Sequence, residues 1–173
     1  MKSKQKPAVA VIMGSDSDWP AMQATVKTLE QFGITFETHV ISAHRTPHRA
    51  AEFAETAVRR GLQVIIAAAG GAAHLAGVLA AHTTLPVIGV PLKGGALDGL
   101  DALLATVQMP SGVPVATVAL GAAGPVNAAI LAAQILSLSR PDLVAVLRRH
   151  KQKLAAKVEL ADRRIQGGLE VKE

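Results

Sequence analysis

From Ala8 to Leu138 the chain alternates short, wholly aliphatic runs with longer stretches of helical spacing, and this alternation limits the fold more than any other feature. The first run, Ala8-Val-Ala-Val-Ile-Met13, is apolar at every position. It reads as a strand covered on both faces, because a half-wet strand would alternate polar and apolar residues. Asp18 to Phe32 has helical spacing and stops before Gly33, a residue suited to the left-handed position after a helix. Ile34 to Ile41 is a second strand, and Pro47 to Arg60 a helix with proline in its first turn and Gly61 after its end. Leu62 to Ala68 is a third strand, Ala72 to His82 a short helix, and Pro86 to Val90 a fourth strand. Leu97 to Val107 (helix), Val113 to Val118 (strand) and Ala123 to Leu138 (alanine-rich helix) complete the series.

Five strands alternating with helices specify an α/β protein. Crossovers of this length imply a parallel sheet with right-handed connections and helices on both faces. For five strands the expected arrangement is a flavodoxin-like three-layer sandwich of order 2-1-3-4-5. Composition agrees: half of the residues are hydrophobic but only 2% are aromatic, so the core must be Ala, Val, Leu and Ile closing helices onto β-branched strands. The length of 173 residues suggests one domain, 1–173, with its core at about 8–139. After Arg140-Pro141, the residues Leu143, Leu147, Leu154, Val158, Ala161 and Ile165 share one face of a helix whose other face is mostly Lys, Arg and Glu. That helix, about 140–166, exceeds what a small sheet needs and is expected to pack on a neighbouring subunit of a homo-oligomer.

The net charge of +5 is concentrated near the two ends, at Lys2 to Lys6 and Arg148 to Arg164. No central strip is lysine-rich and stacking aromatics are scarce, so no nucleic-acid partner is expected. The absence of cysteine excludes disulfides, cysteine-ligated metals and thiol nucleophiles, and fits a cytoplasmic protein. The first residues have no apolar segment of the signal-peptide kind. Val64 to Ala81 approaches membrane-span length, but Gly70, Gly71, His74 and Gly77 interrupt it, so no membrane partner is expected.

In an open α/β sheet, ligands sit beyond the carboxyl ends of the strands. After strand one, Met13-Gly-Ser-Asp-Ser-Asp-Trp19 places a tight turn at Gly14, hydroxyls at Ser15 and Ser17, and the amides of a helix start. Together they suit a phosphate. The run matches neither GxGxxG nor a Walker loop, so neither a dinucleotide nor an NTP is indicated. Asp18 is either a helix cap or an acceptor for ribose hydroxyls. After strand two, Ile41-Ser-Ala-His-Arg-Thr-Pro47 ends an apolar strand in four polar or basic residues, Ser42, His44, Arg45 and Thr46, interrupted only by Ala43. Arg45 can clamp a phosphate with its planar fork. Histidine is the side-chain type suited to proton transfer near neutral pH, and the place of His44 at a strand end beside Arg45 makes it the candidate acid/base. Thr46 reads as a helix cap and His48 as a surface residue. After strand three, Gly70 and Gly71 allow a flat ligand close to the backbone, and His74 and Leu75 open the next helix. The histidines form no HExxH or similar ligand pattern, so no metal is expected. Lys93 to Asp98 is a glycine-rich loop placed to cover the pocket.

Three neighbouring strand ends therefore converge on one crevice. The residues suit a small phosphate-bearing molecule and proton transfer, addition or elimination at a heteroaromatic or carbonyl carbon.

These motifs resemble a known family. Met13 to Trp19, Ser42-Ala-His-Arg-Thr-Pro47, Ala69-Gly-Gly-Ala-Ala-His-Leu75, Val107 to Thr117 and Gly124-Pro-Val-Asn-Ala-Ala129 are similar, in order, to the class I N5-carboxyaminoimidazole ribonucleotide mutases. The likeness runs from about Val9 to Leu138. It implies isomerisation of N5-carboxyaminoimidazole ribonucleotide to 4-carboxyaminoimidazole ribonucleotide in purine biosynthesis, without ATP, metal or organic cofactor. It also implies an octamer with C-terminal helices reaching across subunits. By motif, His44 is the acid/base; Ser15, Asp18, Ser42 and Arg45 bind the ribonucleotide; Gly70, Gly71, His74 and Leu75 line the base and carboxylate pocket. The family usually has Pro and Met at the positions of Ala76 and Val78, and Asp-Ser where this chain has Asp101-Ala102. The Gly-Gly-Ala-Ala-His run separates the chain from the class II branch, a carboxylase that takes free CO2. That carboxylase is the nearest alternative activity. A non-enzymic flavodoxin-like binding module is the alternative of another class, but Asp16 and Asp18 come too late for a strand-end acidic pair.

Overall fold

The computed structural model describes residues 6–169, so Lys2 and Lys4 of the basic N-terminal run, and the first residues read for a signal peptide, lie outside the described residues. The elements are β1 (Val9–Met13), α1 (Trp19–Gln31), β2 (Phe36–Val40), α2 (Pro47–Arg60), β3 (Val64–Gly70), α3 (Leu75–Ala81), β4 (Val87–Leu92), α4 (Leu100–Val107), β5 (Ala116–Thr117), α5 (Ala123–Ser137) and α6 (Pro141–Leu169). A 3₁₀ turn, Asp16–Asp18, precedes α1. The five strands are all parallel in the order β2-β1-β3-β4-β5.

All five residues of β1 are buried, because β1 is sandwiched laterally by β2 and β3 and covered above and below by helices. Val9 pairs with Phe36 on one side and with Val64 on the other. Side chains of a strand alternate between faces, so this run serves two cores at once. Val9, Val11 and Met13 pack with α1, α5 and the start of α6; Ala10 and Ile12 pack with α2 and α3. β2 carries Glu37, Thr38 and His39, which an edge strand tolerates and a central one would not. Between α1 and α5, the buried Thr25 hydroxyl donates to the Pro125 carbonyl at 2.7 Å, joining residues 100 apart in sequence.

Several elements are shorter than the sequence suggests, each for a local reason. β5 keeps two residues of the expected Val113 to Val118, since Pro114 has no N–H for the ladder. α3 begins at Leu75, not Ala72, because Ala73 and His74 donate their N–H groups to carbonyls only two residues back, at 2.8 Å each. α4 begins at Leu100, after Gly99 in the left-handed region (φ 91°).

The long C-terminal helix divides its apolar face between two environments. Leu143 is buried, and Val146 and Leu147 pack against the same core, while the His150 ring meets Phe32 edge-on at 5.4 Å. Every residue from Lys151 to Gly167 is exposed, including Leu154 (53%), Val158 (68%) and Ile165 (67%). Among the described residues, no helix is long and apolar enough to cross a membrane.

Gly89 in β4 is where the helix layer approaches the sheet most closely. A Cβ there would overlap the Thr106 methyl of α4 and come within 2.9 Å of Val115. Gly89→Ala is therefore expected to cost about 1–3 kcal/mol, the range for overpacking, read as a lower midpoint in urea unfolding. Adding Thr106→Ser should recover part of the loss. Serine lacks the methyl but keeps the hydroxyl that donates to the Ala102 carbonyl at 2.7 Å.

Candidate active site

The loops after β1, β2, β3 and β4 meet around one cavity of about 580 Å³. Its wall is built loop by loop.

The first loop is tied to the sheet by Gly14, whose N–H donates to the Ala68 carbonyl of β3 at 3.1 Å. Beyond it, Ser15 and Asp18 form a reciprocal capping box on the 3₁₀ turn. The Ser15 Oγ accepts from the Ser17 N–H at 3.3 Å, and the Asp18 Oδ2 accepts from the Ser15 N–H at 3.1 Å. The Asp18 N–H goes to the Ser15 carbonyl at 3.2 Å. The amides of Ser15, Ser17 and Asp18 are thus spent within the turn, which corrects the expectation of a bare helix start offering free N–H groups. What this loop turns toward the cavity is hydroxyls and a carboxylate: Ser15, Ser17 and Asp18 all line it. Burial pushes the Asp18 carboxyl above the usual carboxylate range, and the charge of Asp16 adds to the rise. Hydrogen bonds from the Ser15 and Gly14 backbone and the charge of Arg45 oppose it.

The second loop supplies Ser42, Ala43, His44 and Arg45. Arg45 lies across the gap between the first two loops, with its Nη2 donating to the Gly14 carbonyl at 3.2 Å and its backbone N–H to Ser42 Oγ at 3.1 Å. Among the described residues it is the one Lys or Arg that lines the cavity. An anion drawn to this loop therefore meets a guanidinium already held over the Ser15 turn. Thr46 makes no side-chain cap to α2, contrary to expectation.

The third loop brings Ala69, Gly70, Gly71, Ala72 and Leu75 to the wall. Gly71 sits in the left-handed region (φ 59°), so a side chain there would be strained. His74 does not line the cavity, but its ring reaches the second loop: His44 Nε2 and His74 Nδ1 are 2.9 Å apart, with the rings edge-to-face at 81°. One of these two nitrogens must carry the hydrogen and the other the lone pair, so the tautomers of the two imidazoles are coupled.

The fourth loop contributes Gly94 and Gly95, which were not singled out as site residues in the sequence although their pairing after a strand was the available signal. Ala43 and Ala69 also line the cavity without a signal of their own in the sequence. Small residues carry little signal until the loops are placed together. The loop is closed by a Lys93 Nζ to Asp98 Oδ2 contact of 2.9 Å, with Asp98 at positive φ (46°). Ala76, Val78 and Ala102 do not line the cavity. Neither do His39, which lies 3.5 Å from Glu37, and His82, which pairs with Glu55 at 3.1 Å. His48 is exposed on α2.

The assembled site has an anion-binding end at Arg45 and the serine hydroxyls. A smooth Gly/Ala wall gives a flat ring room to lie against the backbone. Between them, a coupled imidazole pair can take up or release a proton. The site therefore suits proton-coupled chemistry on a flat, phosphate-bearing molecule.

The chain is also similar to known proteins over most of its length. The AIR carboxylase family matches residues 8–157. A curated N5-carboxyaminoimidazole ribonucleotide mutase of Pyrococcus horikoshii is 55% identical over 166 residues, covering 96% of this chain and 92% of its own length. The protein of that name from Vibrio cholerae is 54% identical over 145 residues, covering 84% and 90%. Among solved structures, Treponema denticola PurE superposes with a TM-score of 0.79 at 27% identity, covering 96% of this chain and 99% of its own.

The raised Asp18 pKa has a consequence for stability. A carboxyl harder to ionise in the folded state than in the unfolded chain costs nothing below about pH 3, where both states are protonated. The cost then grows as pH rises through the folded-state pKa and stays constant above it. Asp18→Asn keeps an oxygen to accept from Ser15 N–H and removes the half-buried charge. It is expected to raise Tm at pH 7 by about 2 °C, a small effect because the group is partly solvated, and to leave Tm unchanged near pH 3. Thermal melts of both proteins at the two pH values check this; an equal difference at both would show that charge is not the cause.

Proposed function

The chain belongs to the AIR carboxylase family, and from that premise we propose that it is a mutase of purine biosynthesis converting N5-carboxyaminoimidazole ribonucleotide to 4-carboxyaminoimidazole ribonucleotide, with His44 as its proton carrier. The activity rests on relatives bearing that name at 53–58% identity across most of the chain. The residue assignment rests on one observation, the 2.9 Å approach of His44 to His74 beside a cavity whose cation is Arg45.

The substrate phosphate lies against Arg45, Ser15 and Ser42. A guanidinium already oriented by Gly14 and Ser42 loses little freedom on taking up a phosphate. Asp18 accepts hydrogen bonds from the ribose hydroxyls. The aminoimidazole lies on the backbone of Gly70 and Gly71, which line the cavity. The N-carboxylate leaves as CO2 when His44 gives a proton to the exocyclic nitrogen. C4 of the ring then attacks the retained CO2, and the C4 proton passes back to His44. The proton count closes on one imidazole, so the residues require no cofactor and no net proton from solvent. Retaining the CO2 replaces a dilute bimolecular capture with a local one. Leu75 and the small residues of the third loop limit water around it. His74, which lies behind the cavity wall, holds the His44 ring.

The chain functions as one domain, 1–173, in the cytoplasm and as a homo-oligomer, an octamer by family resemblance. The exposed stripe of Leu154, Val158, Ala161 and Ile165 supports this, since a soluble helix with an open apolar face needs a partner, and a neighbouring subunit supplies one.

The test is an isomerisation assay with purified protein, without ATP or added bicarbonate. Conversion of N5-carboxyaminoimidazole ribonucleotide is expected, and His44→Asn is expected to reduce turnover by at least about 10²-fold, the scale of lost general acid–base catalysis, while retaining ribonucleotide binding. Efficient reaction of aminoimidazole ribonucleotide with free CO2, and none with the N5-carboxy compound, would instead assign the carboxylase.

A further inference from the structure

The loop that carries His44 and Arg45 is held by a residue that touches neither the cavity nor the two functional side chains. Thr46 stands immediately before Pro47, the first residue of α2, where a threonine ordinarily turns its hydroxyl forward to cap the helix. It does not do so here. Its backbone is away from the usual capping conformation (φ −134°, ψ 55°) and no side-chain cap bond forms. The hydroxyl turns back across the loop. It accepts from the Ser42 N–H at 3.0 Å and donates its hydrogen to the Ser42 carbonyl at 2.9 Å. The Thr46 N–H donates to the same carbonyl, also at 2.9 Å. Ser42 and Thr46 are therefore clasped by three hydrogen bonds, two of them through one hydroxyl, with Ala43, His44 and Arg45 as the arch between them.

The clasp sits on fixed ground at both ends. Ile41, just before it, is buried and donates its N–H to the Met13 carbonyl of β1 at 2.9 Å. Thr46 passes directly into α2, and its carbonyl accepts from the Ala50 N–H at 3.1 Å. Without the clasp, this three-residue arch would have its ends placed but its span free. A helix start that gives up its side-chain cap forgoes a stabilising hydrogen bond. Departures of this kind from local sequence rules concentrate at functional positions.

We propose that Thr46 is a positioning residue for the mutase reaction: its hydroxyl, by closing the loop on Ser42, sets the direction of the His44 ring toward His74 and of the Arg45 guanidinium toward the Ser15 turn. The inference rests on the functional reading above, since it concerns the same two side chains. It assigns Thr46 no contact with substrate. Both ends of the reaction depend on the clasp, because phosphate binding uses Arg45 and proton transfer uses His44. A misplacement of about 1 Å at a reacting group can cost about 10²-fold in rate.

Thr46→Val keeps the shape and the branched Cβ but can neither accept from nor donate to Ser42. Thr46→Ser keeps both bonds. The Val protein is expected to lose about 30- to 100-fold in kcat/KM, with both KM raised and kcat lowered, while its Tm stays within about 2 °C of the parent. The Ser protein is expected to retain activity within about threefold, the rescue that a hydroxyl-dependent role requires. Imidazole ¹⁵N spectra of the substrate-free proteins supply a readout independent of turnover: the coupled His44 and His74 signals should move in Val and return in Ser. Thr46→Ala serves in place of Val should Val not fold. Near-parental kcat/KM in the hydroxyl-free protein would overturn the proposal. So would equal losses in Val and Ser, or unshifted imidazole signals. If the parent protein itself fails to isomerise, the functional reading falls, while the spectra still decide whether Thr46 orients the histidine pair.

Discussion

Everything in this molecule depends on the burial of β1 from all sides. A strand flanked by β2 and β3 and covered by helices above and below has no position at which a polar side chain can be solvated. Val-Ala-Val-Ile-Met satisfies that constraint and in doing so excludes chemistry from the sheet. Polar function is displaced to the carboxyl ends, where the chain leaves the sheet. The order reversal between β1 and β3 opens a crevice there because consecutive connections run to opposite faces. The cavity stands at that point.

The site is held less by any single loop than by the bonds between loops. Gly14 N–H to the Ala68 carbonyl joins the first loop to the third strand; Arg45 to the Gly14 carbonyl joins the second loop to the first; His44 to His74 joins the second to the third. Arg45 and His44 are thus each anchored by a group from a different loop. The rigidity of the sheet is transmitted to the ligand-binding edge through a few polar contacts. Asp18 shows the same economy. Its carboxylate structures the Ser15 turn and also faces the cavity, at the cost of being partly desolvated.

The C-terminal helix divides its labour along its length. Leu143 and Leu147 belong to the core that α1 and α5 build, whereas the continuation of the same stripe from Leu154 to Ile165 is exposed. An amphipathic pattern records that a face must be covered. It does not record by what, because the hydrophobic effect is non-directional and a residue's own core and another subunit are equivalent partners for it.

The number, type and parallel order of the main elements were legible in the sequence, because continuous apolar runs and helical spacing are local consequences of burial. His44, Arg45 and the serine- and glycine-rich turns were also legible, since polar residues directly after apolar strands have few structural reasons to be there. Other features needed the assembled fold. The pairing of His44 with His74 joins residues 30 apart in sequence, and no pattern within either loop encodes it. The occupied amides of the Ser15 turn, the backward reach of Thr46 and the place of Gly94 and Gly95 in the wall are decided the same way. Local sequence sets which groups a loop owns, while the packing of its neighbours sets which way those groups face. The sequence by itself determined the layers and the edge where function lies. Only the tertiary structure decided which donors are spent internally and which are left for a ligand, because hydrogen-bond partners are shared out among loops that meet only once the sheet has formed.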